Sequence, residues 1–383
     1  MGANMGTEQL DYTSMEDLIK KMLSDFKDDM KSMGHVNIII AGKTGVGKST
    51  LINAAFRDHL AETGSGRPIT QACQLIEKDG VPLRIYDTVG LELNEERKER
   101  AIADIKGIIN DGLKSGDADK FIHCLWYCVD SNSDRFEDTE RDFVKEIAES
   151  SDIPVMIVLT KSYLKGHAKR FAEIIAGYGM PVKNISVVLA ESYDDEGQTF
   201  AAYGVKELVE TTINVLPEAA RRAWANAQRA SLAVKRREAE NIIRQTVKMA
   251  FGTGFSPVPV SDAALLVPVQ LSMFIRITNV YGIKLTTSLA TSLVSGLLGV
   301  AGATYVGRSV VSFLLKLVPG FGTAIGGVIS GATAASITWG LGRTYIEIME
   351  RLFRGEITQD DLGEGSGFRD TIKELLRENL SKK

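Results

Sequence analysis

The sequence predicts an α/β fold, in which a mainly parallel sheet has helices on both faces, followed by an all-α hydrophobic helical domain. Three observations support this prediction. An apolar strand pattern at 36–41 runs through a glycine turn into a helix-permissive stretch, strand and helix patterns then alternate up to residue 216, and strand patterns stop at Pro217. We therefore expect an N-terminal amphipathic helix in 1–34, an α/β domain in 35–216 and a helical domain in 217–383.

The composition fits a protein of two domains in a reducing compartment. The chain has 383 residues, which is long enough for a substantial core. Its net charge of −4 predicts no nucleic-acid partner. The charge is −11 up to Leu216 and +7 beyond it, and a basic C-terminal part favours a membrane or another anionic partner. Cys73, Cys124 and Cys128 form no C-x-x-C pair, and the N-terminus has no secretory pattern. We therefore expect a cytoplasmic location, with membrane association through the C-terminal part.

The predicted elements follow one another in a regular order. Met15–Met33 has apolar residues at helical spacing, so it predicts an amphipathic helix that packs on its own domain or docks on a partner or membrane. A tight turn at Asp79-Gly80 predicts a hairpin, which adds one antiparallel strand to the sheet. The other expected strands and helices are strands 72–78, 83–86, 121–129, 155–159 and 185–189, and helices 92–110, 134–149, 168–178, 205–215 and 219–251.

The glycine turn carries a phosphate-binding motif, because residues 42–50 match G-x-x-x-x-G-K-[ST] between a strand and a helix. Glycines let successive N–H groups point at an anion, and the helix that follows aims its N-terminus at the same phosphates. Lys48 adds a mobile charge for the β- and γ-phosphates, and the Ser49 hydroxyl is a magnesium ligand. The residues expected to contact nucleotide here are Gly42, Lys43, Thr44, Gly45, Val46, Gly47, Lys48, Ser49 and Thr50.

Two further segments predict a site that senses the terminal phosphate. Asp87-Thr88-Val89-Gly90 fits D-x-x-G at a strand end, where Asp87 can hold magnesium and the Gly90 N–H can reach the γ-phosphate. Before it, the polar segment 66–70 ends in Thr70, which can contact magnesium and the γ-phosphate together, so that loss of the phosphate would release the segment. We expect catalysis to use Lys48, Thr70 and Gly90, and metal binding to use Ser49, Thr70 and Asp87.

With these motifs, the chain resembles the translation-factor-related GTPases over roughly residues 35–216. The phosphate loop followed by Leu51-Ile52-Asn53, the Pro68-Ile69-Thr70 segment and the Asp87 box are similar to those of the Era-like, septin-like and dynamin-like branches. The resemblance implies GTP and GDP as ligands, Mg²⁺ as the cofactor and hydrolysis of GTP as the activity.

The guanine-reading boxes depart from the family pattern. Where the family has [NT]-K-x-D, this chain has Thr160-Lys161-Ser162-Tyr163, and a tyrosine cannot accept the paired hydrogen bonds that guanine gives to a carboxylate. Thr160 and Lys161 are still expected at the nucleotide, with Lys161 along the base. At the position of the fifth box, Ala190 can offer its N–H to the guanine oxygen and Glu191 is a substitute acceptor. The resemblance keeps GTP as the favoured nucleotide.

Hydrolysis is expected to be slow without a partner or a second protomer. The residue after D-x-x-G is Leu91, which has no polar atom to orient water as the glutamine of small GTPases does. Lys43 and Arg67 lie in loops from which a positive charge can act in trans, the alternative being that both are solvated loop cations. Gly45 stands where the family's cation-binding asparagine would be, which disfavours a potassium-dependent mechanism.

The C-terminal part resembles the hydrophobic helical domain attached to some Era-like and dynamin-like GTPases. The segment 257–268 and the glycine-rich run 318–327 carry this resemblance. The uncharged runs Leu285–Gly307 and Leu317–Gly342 are each long enough to cross a bilayer. Their small residues equally suit a tightly packed soluble hairpin or reversible insertion. Both alternatives stay open, and the basic helix 221–248 suits an anionic membrane surface under either.

Three hypotheses about function follow. The first is a magnesium-dependent GTPase whose nucleotide state controls the helical domain at a membrane, as a homodimer or with a stimulating partner. The second is a nucleotide-gated scaffold with negligible turnover, for which Leu91 and Tyr163 argue. The third is a dimeric ATPase with a deviant phosphate loop, because Lys43 resembles the lysine that reaches across the dimer in that class. Those ATPases lack the threonine switch and the nearby D-x-x-G strand.

Overall fold

A computed structural model describes residues 15–63, 65–70, 73–88, 95–195, 197–251, 258–259, 266–297, 328–329, 331–362, 375 and 378–379. The chain forms two compact units, of which one contains Ser32–Lys235 and the other Met1–Lys31 with Arg236–Lys383. This division does not coincide with the boundaries predicted after residues 34 and 216. Residues 217–235 group with the sheet, and the N-terminal segment groups with the C-terminal helices.

The first unit is built on a seven-stranded sheet in the order β2-β3-β4-β1-β5-β6-β7. The strands are β1 Val36–Ala41, β2 Ser65–Pro68, β3 Cys73–Glu77, β4 Leu83–Thr88, β5 Cys124–Asp130, β6 Val155–Thr160 and β7 Asn184–Val187. A short hairpin, β8 Tyr193–Asp195 with β9 Gln198–Phe200, follows the last of them.

The predicted sheet type is confirmed. Strand β1 pairs in parallel with β4 and β5, and β5–β6 and β6–β7 are also parallel. Strand β3 is antiparallel to both β4 and β2, so it is the one antiparallel member that the Asp79-Gly80 turn predicted. Strand β2 was not predicted, because its polar sequence at 65–68 has no strand pattern.

The helices lie on both faces of this sheet. They are α2 Lys48–Ala55, α3 Leu60–Thr63, α4 Glu95–Lys114, α5 Asp138–Ser150, α6 Lys165–Ala176, α7 Val205–Val215 and α8 Glu218–Ala227. The first helix of the chain, α1 Met15–Ser32, belongs to the other unit. Alternate residues of a strand face opposite ways. Accordingly Tyr127 belongs to a core shared with Phe143 of α5, whereas its neighbour Trp126 packs on Phe56 and Trp224.

The helix predicted over 219–251 is two helices, α8 and α9 Leu232–Phe251. The break lies at residues 228–231, where buried side-chain bonds replace the helical ladder. The Gln228 amide donates to the Ser231 carbonyl at 2.8 Å and accepts from the Ser231 N–H at 2.8 Å. These residues compete with the backbone for hydrogen bonds, which overrides the helix propensity of their Ala- and Arg-rich surroundings.

The described part of the second unit is helical apart from one two-residue strand pair. Besides α1 and most of α9, it contains α10 Leu266–Tyr281, α11 Thr287–Leu297, α12 Gly331–Arg354 and the strands β10 Val258–Pro259 and β11 Val328–Ile329. Its interior holds a charged network in which buried Glu350 accepts from the Arg236 Nε at 2.6 Å and from the Tyr281 hydroxyl at 3.3 Å.

Among the described residues, none of the helices combines the length and apolar character that a bilayer crossing requires. The two apolar runs predicted as possible spans fall partly on 298–327, outside the described residues.

Candidate nucleotide-binding site

The phosphate loop leaves β1 through three glycines with positive φ: Gly42 at 142°, Gly45 at 76° and Gly47 at 95°. A side chain at Gly42 would put its Cβ 2.3 Å from the carbonyl oxygen of Cys128 on β5, so only glycine fits there. Helix α2 begins at Lys48, directly after the last of these glycines. The strand, loop and helix are therefore arranged so that free N–H groups at the start of α2 face the loop.

Lys48 lies inside the loop and is only 9 % exposed. Its ammonium donates to the carbonyls of Gly42 at 2.9 Å and Lys43 at 3.1 Å. Ser49 is exposed in the first turn of α2, and Thr44 and Gly45 are exposed at the loop tip. The structure thus brings the predicted lysine and the predicted hydroxyl ligand to the same helix terminus.

Asp87, at the end of β4, is 8 % exposed, and its Oδ1 has no hydrogen-bond partner among the described residues. Its other oxygen accepts from the Gln74 amide at 3.3 Å across the β3–β4 pair. Burial raises the pKa of Asp87, while the charge of Lys48 and the hydrogen bond from Gln74 act in the opposite direction. A buried carboxylate oxygen without a donor, beside a hydroxyl-bearing helix terminus, fits the oxygen ligands that Mg²⁺ requires.

Replacing Asp87 by asparagine is expected to stabilise the nucleotide-free chain by roughly 1 kcal/mol at pH 7, because it removes a buried charge with an unsatisfied oxygen. The folded chain holds the Asp87 proton more tightly than the unfolded chain, so the cost of ionisation appears as pH rises. The extra free energy of unfolding of Asp87→Asn should therefore disappear below about pH 4, where the Asp87 carboxyl is protonated in both states. Urea unfolding at both pH values measures it, with Asp138→Asn on the exposed start of α5 as the control. An Asp87→Asn chain less stable than the native one at pH 7 would contradict this account.

Thr70 lies between β2 and β3, on the segment predicted as a switch. The N–H groups of Ile69 and Thr70 both donate to the Cys73 carbonyl, at 2.9 and 3.1 Å. Cys73 pairs with Thr88 in the register of the sheet, so this turn lies at the same edge as the end of β4. Gly90 and Leu91 lie outside the described residues, as does the side chain of Arg67.

The fourth box joins the phosphate loop to the sheet. The Thr160 hydroxyl donates to the Val46 carbonyl and lies 3.0 Å from the Val129 carbonyl. Lys161 has a left-handed φ of 50°, and its ammonium lies 3.1 Å from an oxygen of Asp130. Thr160 therefore supports the phosphate loop through Val46.

The fifth box leads into a hairpin that the sequence did not predict. Leu189 and Tyr203 exchange two backbone hydrogen bonds at 3.0 and 2.9 Å, which close a loop over residues 190–202. Ala190 is half-buried and Glu191 is exposed at the start of this loop. Strands β8 and β9 form the hairpin inside it, with Tyr193 opposite Phe200.

Lys43 is held within its own chain. Its ammonium lies 2.9 Å from Glu137 and 3.2 Å from Glu140, at the start of α5. Burial alone would lower the pKa of Lys43, but the two carboxylates together raise it. Glu140 is buried and also accepts from the Tyr127 hydroxyl at 3.2 Å, so Lys43 closes a polar cluster beside the loop.

Gln74, Asp130 and Glu140 were not singled out from the sequence. Each contacts a predicted site residue across a gap of 13 to 97 positions, so local spacing gives no signal for it. The Asp79-Gly80 turn predicts the hairpin but not its register. A two-residue turn there would place Gln74 opposite Ile85, whereas the link between the strands spans residues 78–82 and Gln74 lies opposite Asp87.

Two family models match the chain. Residues 37–161 match one described as 50S ribosome-binding GTPase, and residues 219–379 match one described as Domain of unknown function (DUF697). The first match covers the phosphate loop, Thr70, Asp87 and Thr160-Lys161. The second covers α8 onward.

Individual relatives match over part of the chain. Magnetosome membrane protein 22 of Magnetospirillum gryphiswaldense is 32 % identical over 29 % of this chain and 57 % of its own length. The tRNA modification GTPase MnmE of Burkholderia cenocepacia is 32 % identical over 34 % of this chain and 26 % of its own length. Neuronal-specific septin-3 of Danio rerio is 23 % identical over 42 % of this chain and 50 % of its own length. The chain thus spans between about a quarter and somewhat over half of these relatives.

Proposed function

We propose that this chain, which joins a P-loop GTPase domain to a C-terminal domain of the DUF697 family, hydrolyses GTP to GDP and phosphate and uses its nucleotide state to control the helical unit at a membrane. Domains of this class bind GTP or GDP with Mg²⁺. The observation that carries the proposal is the convergence of Lys48, the hydroxyl of Ser49 and the unpartnered Oδ1 of Asp87 at one edge of the sheet.

Each residue has a role that follows from its chemistry. The loop N–H groups and Lys48 hold the β- and γ-phosphates, since both present donors to anionic oxygens. Ser49, Thr70 and Asp87 would hold Mg²⁺, and Mg²⁺, when bound, withdraws charge from the phosphate oxygens. Gly90 would add its N–H to the γ-phosphate. Thr160 keeps the loop in register through Val46, and Lys161 and Ala190 lie toward the base.

Turnover is slow in this proposal unless a second protomer or a partner supplies the missing group. Leu91 cannot orient the attacking water, and Lys43 can act in trans only after leaving Glu137 and Glu140. The same pairing in cis counts against the deviant-loop ATPase, whose lysine must reach a neighbouring protomer. In the scaffold alternative the chain binds the nucleotide but does not hydrolyse it, and the same residues contact the phosphates.

The route from nucleotide to helical unit begins where α2 ends. The Arg229 N–H donates to the Ala55 carbonyl at 2.9 Å, and Arg57 donates to the Asn226 side chain at 2.7 Å and to its carbonyl at 3.2 Å. Phe56 forms an isolated bridge with Gln228. The turn after α8 is therefore fixed to the residues that follow the phosphate-loop helix.

Two left-handed residues follow this anchor. Asp58 and His59 have φ values of 68° and 47°, which cost side-chain-bearing residues about 1–2 kcal/mol each. They separate the anchored Arg57 from the segment that ends in Thr70, so they form a hinge for it. Helix α9 starts four residues after Gln228 and continues to Phe251, beyond the first unit. Helix α9 therefore connects the turn that Arg57 anchors, along the chain, to the second unit.

Removing the Arg57 anchor should uncouple the helix from the nucleotide. We expect Arg57→Met to leave GDP affinity within about threefold, because Arg57 lies outside the phosphate loop. It should abolish the difference in amide hydrogen exchange over 218–235 between the GDP state and a nonhydrolysable GTP state. The matched control is Arg141→Met on α5, whose guanidinium contacts Asp138. An exchange difference of native size in Arg57→Met would refute the route.

Membrane association is supported by the basic charge beyond Leu216 and by the magnetosome membrane protein among the relatives. Flotation with anionic and with neutral liposomes, each in GDP and GTP-analogue states, measures it. The proposal requires binding that depends on anionic lipid.

Phosphate release from GTP by the purified full-length chain tests the proposed activity directly. We expect Mg²⁺-dependent release whose rate per chain rises with protein concentration or with anionic liposomes, since the site lacks its own water-orienting group. Asp87→Asn should lower the rate of release and raise the Mg²⁺ concentration needed for half-maximal release, because it removes one of the proposed metal ligands. Tight retention of GTP with no release of phosphate under any of these conditions would contradict the proposed hydrolysis and favour the nucleotide-gated scaffold. Better competition by ATP than by GTP would favour the ATPase.

A further inference from the structure

Beyond the phosphate loop, two segments lie side by side where the base of a bound nucleotide would be. The Ser162 N–H donates to the Val188 carbonyl at 3.2 Å, which joins the fourth box to the fifth. The stem of Lys161 lies beside the loop, because a Cβ built on Gly47 would be 3.8 Å from the Lys161 Cγ. In the proposed binding mode, a nucleotide with its phosphates on the loop has its base along Lys161, near the residue that follows Ser162.

That residue is Tyr163, and its ring lies against the hairpin. The ring centroids of Tyr163 and Tyr193 are 4.6 Å apart with an interplanar angle of 46°. Tyr193 pairs with Phe200 across β8–β9, and their rings are 6.4 Å apart. Tyr193 is nevertheless 43 % exposed, so a face of this aromatic row is open. The fourth box thus ends in aromatic surface instead of a carboxylate.

Among the residues that the structure describes, the carboxylates around this row are engaged or project into solvent. Asp130 lies 3.1 Å from the Lys161 ammonium, and Asp194 accepts from the Thr199 hydroxyl at 2.6 Å. Glu191 is exposed at the start of the loop. Reading guanine by its N1–H and 2-amino groups together requires one carboxylate that accepts from both.

We propose that Tyr163 and Tyr193 form one wall of the base site and hold the purine by ring contact, so that the 2-amino group of guanine is not read. This inference rests on the proposed nucleotide binding at the phosphate loop. Aromatic rings contact the face of any purine, so the wall contributes affinity without distinguishing guanine from hypoxanthine. Discrimination against adenine depends on the oxygen at position 6, which guanine and hypoxanthine share and to which Ala190 can donate.

Inosine nucleotides test this point, because hypoxanthine differs from guanine only by lacking the 2-amino group. We expect the full-length chain with Mg²⁺ to bind GDP and IDP with dissociation constants within about threefold of each other in calorimetric titrations. ADP should bind at least about tenfold more weakly, since it lacks the position-6 oxygen. Diphosphates avoid turnover during the measurement.

Three variants separate the possible readers of the base. Tyr163→Asp supplies the missing carboxylate and should raise the preference for GDP over IDP about tenfold or more. Tyr193→Ala should weaken GDP and IDP alike, by about threefold to thirtyfold, and leave their ratio unchanged. Glu191→Gln tests the other acceptor, because it would lower the preference for GDP over IDP if Glu191 accepted from the 2-amino group. If Tyr163 only stabilised the fold, Tyr163→Asp would not change the ratio of the GDP and IDP dissociation constants.

Several results would overturn the inference. A native preference for GDP over IDP of about thirtyfold or more would show that the 2-amino group is read, and its loss in Glu191→Gln would identify the reader. Unchanged affinities in Tyr193→Ala would remove the aromatic wall. The native GDP/IDP ratio decides the matter even where Tyr163→Asp fails to fold. Absence of binding by any nucleotide to a folded chain would reject the proposed function itself, which is a different result from binding with a strong GDP preference.

Discussion

Lys48→Ala is expected to weaken binding of GDP and of a nonhydrolysable GTP analogue by about 10²–10³-fold, or about 3–4 kcal/mol. The ammonium is already inside the loop, 2.9 Å from the Gly42 carbonyl, and little exposed. It can therefore transfer its hydrogen bonds to phosphate with little reorganisation, and charge-assisted bonds are the strong ones. Calorimetric titration of the full-length chain measures the loss.

The control for Lys48→Ala is Lys183→Ala, an exposed lysine before β7 whose N–H bonds to Val155 at the start of β6. Strand starts lie at the edge of the sheet away from the phosphate loop, so this change should leave affinity unaltered. Affinity of Lys48→Ala within about threefold of native would show that the loop does not hold the phosphates.

Gly42→Ala is expected to cost about 3 kcal/mol or more in the free energy of unfolding, and nucleotide binding with it. The new Cβ would lie 2.3 Å from the Cys128 carbonyl oxygen and 3.2 Å from its carbon, and backbone atoms of a central strand cannot move aside cheaply. A φ of 142° adds strain for any side chain. For a unit of this size, the melting temperature should fall by about 6–12 °C in differential scanning calorimetry.

Gly45→Ala is the matched control, in the same loop and also at positive φ. A Cβ there meets nothing within 4 Å, so only the backbone strain of about 1–2 kcal/mol applies. The difference between the two variants isolates the steric contact with β5. Equal melting temperatures would mean that β1 and β5 separate at this point more easily than the structure indicates.

The sequence predicted what depends on neighbours along the chain. Strand β1, the loop and α2 follow from a continuous apolar run, fixed glycines and a helix-permissive stretch. The end of β4 places Asp87 at the edge of the sheet from which the phosphate loop leaves β1, because the carboxyl ends of parallel strands share an edge. Helix α7 has the predicted bounds, Val205–Val215.

The remainder depends on contacts between distant residues. Gln74 lies opposite Asp87 through the register of β3 and β4. The contacts of Lys43 with Glu140 and of Tyr163 with Tyr193 join loop residues to elements far along the chain. The apolar pattern of one strand shows which of its faces is buried but not which distant segment lies beside it. Strand β2 and the hairpin β8–β9 are short and polar, so they form as extensions of neighbouring structure and not from their own propensity.

Trp126 and Trp224 lie within 5.8 Å of each other, and both rings touch Phe56 at the exit of α2. The chain has three tryptophans, so two of its three indole fluorophores lie beside the anchor that links the phosphate loop to α8. Ultraviolet fluorescence of the unlabelled protein is therefore a built-in optical probe of that anchor. Rapid mixing with nucleotide can follow its rearrangement in real time, without attaching a dye.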